Sequence, residues 1–165
     1  MRKLVIFAIL FFALVLENSL FNYLKIAGVK PDLLLLVVIF HALLNGPREG
    51  FFTGLAAGLL QDLRVGEMLG LFAISKAFTG YLFGVAGRRI YRENLIVAFF
   101  CVVIGTFIHG SFVYLLTRAI PLPLSFWPLL IQKMLPEALY NGTLVFFTYY
   151  RYYHSNYKGL LRKDY

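Results

Sequence analysis

The sequence is poor in charged residues and has no long polar stretch. Asp, Glu, Lys and Arg make up 15% of its 165 residues, whereas hydrophobic residues make up 60%. Soluble domains average roughly 25% charged and 45–50% apolar residues. This composition excludes an ordinary soluble domain, and 17 Phe and 11 Tyr exclude a disordered tail. We therefore expect one transmembrane domain over residues 1–165, ending in a short basic tail over residues 151–165.

Cysteine and enzyme signatures are also scarce. The single cysteine, Cys101, lies in an apolar run, which excludes an internal disulfide and predicts a small buried hydrophobic residue. The chain has no His-Glu-x-x-His, Gly-x-Ser-x-Gly or P-loop motif. His41, His109 and His154 lie in separate segments, which argues against a metal cluster. We therefore expect no enzyme activity, no metal and no cofactor.

Six apolar segments are separated by polar or helix-breaking residues. They cover residues 4–24, 31–44, 50–63, 67–86, 95–117 and 126–150, and Pro136 predicts a kink in the last one. The second and third, at about 14 residues, reach roughly 21 Å against a hydrocarbon core of about 30 Å. They form either thin spans or a re-entrant hairpin shielded by other helices. The sequence thus predicts an all-α membrane protein with about six transmembrane helices.

The basic residues are distributed unequally between the two sides of these segments. Cytoplasmic loops of membrane proteins collect Lys and Arg. The net charge of +8 therefore reflects topology rather than nucleic-acid binding, and both termini are expected in the cytoplasm. Ten basic residues lie on the cytoplasmic side, namely Arg2, Lys3, Arg48, Arg88, Arg89, Arg92, Arg151, Lys158, Arg162 and Lys163. Four lie on the other side, namely Lys25, Lys30, Arg64 and Arg118.

Small residues recur at helical spacing in the third segment. Gly50, Gly54 and Gly58 are four residues apart, which places them on one helix face. Small residues on such a face let another backbone approach closely, which is how membrane helices pack. The stripe predicts a tight helix contact, either within the chain or with a partner.

Polar side chains inside the predicted segments are the candidate binding residues. Burying them in a membrane is costly, so each is a functional hypothesis. One interpretation is a polar core that binds a substrate or relays protons; the other is a satisfied network that fixes helix register, with lysines reaching toward an interface. Glu17 lies near the end of the first segment. The five central candidates are Lys76, His109, Lys133, Glu137 and Asn141, the last three sharing one helix face.

Two acidic residues lie at predicted membrane edges. Asp32 follows Pro31 at a helix start, where the helix dipole favours a carboxylate. Asp62 lies at the end of the glycine-bearing helix, where that argument fails. Asp62 is therefore expected to pair with a cation, either Arg64 or Lys76.

The loop between the fourth and fifth segments is strongly basic. Arg88, Arg89 and Arg92 fall on the side expected to be cytoplasmic. Basic residues near an anionic membrane surface contribute about 1 kcal/mol each. We expect these three arginines to contact lipid headgroups.

Several short motifs follow one another in a recognisable order. They are Pro31-Asp32-Leu33-Leu34-Leu35-Leu36, Gly50-x3-Gly54-x3-Gly58, Leu59-Leu60-Gln61-Asp62-Leu63, Gly66-x2-Leu69-Gly70, Gly80-Tyr81-Leu82 and Leu135-Pro136-x3-Tyr140-Asn141. With the small size and hydropathy of the chain, this order resembles the MreD family of rod shape-determining proteins.

The resemblance implies a subunit of the bacterial cell-elongation machinery in the inner membrane. Members of that family work with MreC and link cytoplasmic MreB filaments to the peptidoglycan synthase formed by RodA and a class B penicillin-binding protein. In its six-helix fold the family also resembles the substrate-binding subunits of energy-coupling-factor transporters. Two hypotheses follow: a scaffold that binds MreC through an apolar outer groove, and a small-ligand or lipid binder with an enclosed cavity lined by several of the five central candidates.

The charge asymmetry gives a testable topology. Reporter fusions placed after Arg92 and at the C-terminus should both report a cytoplasmic location, because both sites lie on the side with ten basic residues. A periplasmic signal at either site would overturn the six-crossing arrangement.

Overall fold

The chain forms a helical bundle with the element order that the apolar segments predict. The computed structural model describes residues 2–23, 25, 28–66, 69–118 and 126–158, without the side chains of Arg2, Leu20, Phe21 and Asn22. Its helices are α1 (Arg2–Tyr23), α2 (Leu33–Asn45), α3 (Pro47–Val65), α4 (Leu71–Ala86), α5 (Leu95–Thr117), α6 (Phe126–Leu129) and α7 (Leu135–Lys158). A π-helical turn, Leu130–Met134, joins α6 to α7 without a break, so the three make one sixth segment.

The helix ends differ from the predicted ones at a few places. α3 begins at Pro47 and has 19 residues, so it is longer than the predicted short third segment. α7 continues to Lys158, so residues 151–158 of the predicted tail are helical. Some predicted features lie outside the described residues: the segment ends at Leu24 and Glu67, the prolines Pro121 and Pro123, and the tail arginine and lysine, Arg162 and Lys163.

The short second helix is the centre of the bundle. α2 has 13 residues, is apolar nearly all round and contacts α1, α3, α4, α5 and α7. A helix that is hydrophobic on every face is stable only when it is surrounded. Its residues Ile39, Phe40 and Leu43 pack in the core with Val102 of α5 and Val145 of α7. This burial explains how a helix too short for an ordinary span can be accommodated.

A single glycine reverses the chain between α2 and α3. Gly46 has φ +96°, a left-handed conformation that L side chains rarely adopt. Pro47 then occupies the first turn of α3, where its missing N–H costs no hydrogen bond. The two helices are therefore packed as a tight hairpin.

The glycine stripe packs against α4 of the same chain. Gly50 faces Gly80, Gly54 faces Lys76 and Gly58 faces Ala73, an antiparallel register. A Cβ built at Gly54 would lie 2.6 Å from the carbonyl carbon of Lys76, well inside van der Waals contact. The stripe is therefore an internal seam, and α4 occupies the space that a partner helix would need.

A π-helical turn, Leu130–Met134, lies just before Pro136, the residue at which the sequence predicts a kink. Proline cannot donate a hydrogen bond to the carbonyl four residues back, here that of Gln132. The N–H of Leu135 instead bonds to the carbonyl of Leu130, five residues back. Such π turns absorb a local break without ending the helix, and they often mark functional sites.

The outer surface of the bundle is apolar, and polar side chains are buried within its core. Large hydrophobic side chains project outward from most helices, among them Leu4, Phe12, Ile104 and Phe147, while Lys76 is fully buried. A soluble monomer rarely exposes so much contiguous apolar surface, whereas lipid requires it. Among the described helices, α5 is long and apolar enough to cross a membrane, and α2 and α4 are apolar but shorter.

Because α3 and α4 are in close contact at the internal seam, a large side chain at its centre should strongly destabilise the fold. Gly54→Leu should lower the free energy of unfolding by about 3 kcal/mol, because the side chain must displace the α4 backbone. Thermal melting in detergent and the amount of protein in membranes would both report the loss. Leu59→Phe, on the exposed face of α3, is the matched control. Wild-type melting of Gly54→Leu would contradict the seam.

Candidate functional site

The polar centre of the bundle is an ion pair between α2 and α4. The ammonium of Lys76, which is fully buried, donates a hydrogen bond to Oδ2 of Asp32. The other carboxylate oxygen of Asp32 accepts the N–H of Leu35 at 2.7 Å, so Asp32 also caps α2. Asp32 lies at the start of α2 as expected, although it caps the helix rather than belonging to its first turn, and Lys76 supplies the opposite charge that a buried carboxylate requires.

Two further helices converge on the same carboxylate residue. Oδ1 of Asn141 in α7 accepts the backbone N–H of Asp32 at 3.0 Å, and Asn141 donates to Oγ1 of Thr106 at 3.1 Å. Nε2 of His109 in α5 lies 3.9 Å from Oδ2 of Asp32. We call these five residues, Asp32, Lys76, Thr106, His109 and Asn141, the Asp32 network.

A serine, a histidine and an aspartate meet beside this ion pair. Oγ of Ser75 lies 2.7 Å from Nδ1 of His109, whose Nε2 faces Asp32. Ser75 is fully buried. Its contact with His109 holds the imidazole between α4 and α5.

A cavity of about 1080 Å³ lies beside the Asp32 network. Of the five central candidates, His109, Lys133 and Glu137 line this cavity, whereas Lys76 and Asn141 do not. Lys133 belongs to the π-helical turn, which brings it to the cavity wall. The three residues expected to share one face of the sixth segment are thus divided, since Asn141 is fully buried among other helices.

Two buried polar residues of the cavity wall, Glu17 and Gln61, were not among the five central candidates. Glu17 is 1% exposed, and its Oε1 lies 3.3 Å from Nζ of Lys30 and 3.4 Å from Nη1 of Arg64. Gln61 is 7% exposed and also lines the cavity. Gln61 lies three residues after Gly58, on the packed face of α3, and this spacing is the signal that could have predicted its burial.

The expected cation partner of Asp62 is corrected by the structure. Asp62 accepts three backbone N–H groups at the start of α4, those of Gly70, Phe72 and Ala73, each at 3.0 Å. Although Asp62 lies late in α3, it caps the next helix across the intervening loop. The N–H groups that lack a partner within α4, together with the helix dipole at its start, thus stabilise the charge of Asp62. The two cations proposed for it pair elsewhere, Arg64 with Glu17 and Lys76 with Asp32.

The chain matches a known protein family over most of its length. A family model described as rod shape-determining protein MreD matches residues 1–153. The chain belongs to the MreD family. It is therefore a member of a membrane protein family that acts in shape determination. No curated protein and no solved structure matches it.

The basic loop of this MreD-family chain has two kinds of arginine. Arg88 and Arg89 are exposed, as lipid contacts would require. Arg92 instead donates to the carbonyl of Gly87 at 2.6 Å and to that of Leu44 at 3.0 Å. Its guanidinium thus satisfies the C-terminal ends of α4 and α2, a role that the sequence did not predict, and its lipid contact stays a prediction.

A second polar cluster lies at the Arg92 end of the bundle. Nδ1 of His41 lies 2.9 Å from the hydroxyl of Tyr152, and Asn45 donates to Asn156 at 3.0 Å. In the sequence, His41 stands out only as one of three histidines in separate segments. The repeated four-residue spacing, His41 to Asn45 and Tyr152 to Asn156, is the signal that could have paired α2 with α7.

The Asp32–Lys76 pair predicts strong energetic coupling. Lys76→Met should destabilise the MreD-family fold by about 3–5 kcal/mol, because Asp32 would remain buried without its cation. Adding Asp32→Asn should restore part of that loss, since asparagine is neutral and still caps a helix. Lys25→Met, at an exposed lysine, is the control for removing a positive charge. Additive losses in a double-mutant cycle measured by melting would contradict the coupling.

Proposed function

We propose that this chain is a non-enzymatic membrane subunit of the bacterial cell-elongation machinery that binds MreC and supports rod shape and lateral peptidoglycan synthesis. The family match over residues 1–153 carries this proposal. Through MreC, the subunit would act with RodA, a class B penicillin-binding protein and, indirectly, MreB filaments.

The proposed location is the inner membrane, with several crossings and both termini in the cytoplasm. The contacts support alternating helix directions. Arg92 and the carbonyl of Leu44 meet at one end, and Arg64 and Glu17 meet at the other. The two ends also differ in basic residues in the direction that cytoplasmic loops favour. Arg88 and Arg89 would then face anionic lipids of the cytoplasmic leaflet.

The surface proposed for MreC is an outward apolar helix face. The glycine stripe is covered by α4 and is therefore not available as a docking groove for a partner helix. Short loops leave little extramembrane surface on the described part of the chain, and therefore a partner must be met largely along the helices. Outward hydrophobic side chains on α1, α3, α4, α5 and α7 provide such faces.

A scaffold role also fits the state of the buried polar groups. The charged atoms of Asp32 and Lys76 are engaged with each other, and the hydroxyl of Ser75 is sealed from the cavity. Catalytic groups need access to a substrate, whereas groups that fix helix register need only each other. This supports the proposal of a subunit that acts by binding.

Depletion tests the proposed role in shape. Rod-shaped cells depleted of the protein should become round while still forming septa, and wild-type protein supplied from a plasmid should restore rods. Microscopy of cell width and length gives the measurement. Depleted cells that remain rods, together with no MreC-like protein in the purified sample, would contradict the proposed scaffold function.

Photocrosslinking would locate the partner surface. A crosslinking amino acid placed on the correct face should capture MreC, because only adjoining side chains lie within reach. The outward positions to compare, one per helix, are Phe12, Leu63, Ile74, Ile104 and Phe147. Ile39, fully buried in α2, is the internal control. Equal capture at every position, Ile39 included, would contradict a defined interface.

A further inference from the structure

We infer that the cavity beside Glu17 and Gln61 binds a phosphate ester that also carries hydroxyl or amine groups. This chemistry is shared by phospholipid headgroups and by soluble glycerol or sugar phosphates. The inference goes beyond the scaffold function, since it gives the chain a ligand of its own.

Two side chains of the cavity wall carry hydrogen-bond acceptors without a partner. Within the described part of the chain, Oε2 of Glu17 and Oε1 of Gln61 are buried without a hydrogen-bond partner. Both residues line the cavity and are more than nine-tenths buried. A buried polar atom without a partner is costly, and the cost is removed by a donor. A hydroxyl or amine on the ligand would supply that donor once the Glu17 or Gln61 side chain turns its oxygen toward the cavity.

The same cavity presents cationic donors. Lys25, Lys30, Arg64 and Lys133 line it together with the carboxylates of Glu17, Asp32 and Glu137. Asp32 is already neutralised by Lys76, which lies behind the wall. The four cations therefore outnumber the two free carboxylates, Glu17 and Glu137. An anionic oxygen group such as phosphate fits this excess.

Size and position agree with a ligand of this kind. Small-molecule sites usually measure about 300–1000 Å³, and this cavity, at about 1080 Å³, has room for a headgroup. Val113, Leu129 and Met134 give it an apolar wall beside the polar one. It lies at the end of the bundle that holds Lys25 and Lys30, the side that the charge asymmetry places away from the cytoplasm.

Binding can be measured with the full-length chain purified in a mild detergent. The probes are short-chain phosphatidylglycerol, short-chain phosphatidylcholine, glycerol 3-phosphate and inorganic phosphate, each titrated while the melting temperature is recorded. Phosphatidylglycerol should raise the melting temperature more than phosphatidylcholine, whose headgroup lacks a hydrogen-bond donor. An equal rise with glycerol 3-phosphate identifies a soluble source, and a rise with the lipid alone identifies a membrane source; both support the site.

Two cavity variants separate specific binding from general effects of lipid. Gln61→Leu should melt at a higher temperature than wild type without ligand, because it removes the unpaired oxygen, yet bind phosphatidylglycerol about tenfold more weakly. Lys133→Gln, at an exposed cavity lysine, should weaken binding without altering the unliganded melt. Arg118→Gln removes an exposed arginine outside the cavity and should bind like wild type.

Several results would overturn the inference. One is that no probe shifts the melting temperature. Another is that phosphatidylcholine raises it as much as phosphatidylglycerol does. A third is that Arg118→Gln loses as much affinity for phosphatidylglycerol as Lys133→Gln does. The outcome is independent of the scaffold function, because co-purification of MreC with Gln61→Leu reports that function separately.

Discussion

The structure depends on one constraint, the need to pair a lysine buried in the middle of α4. An unpaired ammonium inside a membrane protein is strongly unfavourable, and Asp32 is the carboxylate that meets it. Because Asp32 also begins α2, the ion pair sets the position of α4 along the central helix. Asn141 and His109 bring α7 and α5 to the same point, so four helices share one polar centre.

Close packing of α3 makes that arrangement possible. Lys76 turns its side chain toward Asp32 and its backbone toward Gly54, where only a residue without a Cβ fits. Asp62 then holds the start of α4 through three backbone hydrogen bonds. The glycines and Asp62, all on α3, thus act together, because the glycines let α4 approach closely and Asp62 holds its first turn.

The apolar exterior and the polar interior suit different partners. Outward side chains such as Phe147 can meet lipid or another membrane helix, which agrees with a scaffold in the elongation machinery. The cavity bounded by Glu17, Gln61 and Lys133 offers polar groups that a helix could not satisfy. The outer faces and the cavity are separate, so the proposed partner and the proposed ligand would not compete for one surface.

The sequence by itself determined the features that depend on composition or on neighbours within one helical turn. It determined the six helical segments, the position of Asp32 at a helix start and the burial of Cys101. Only the tertiary structure decided that the glycine stripe receives α4 and that Lys76 pairs with Asp32, although these residues are 44 positions apart. Such contacts depend on which helix faces meet. Helical periodicity shows which residues share a face, but it does not show which other helix that face contacts.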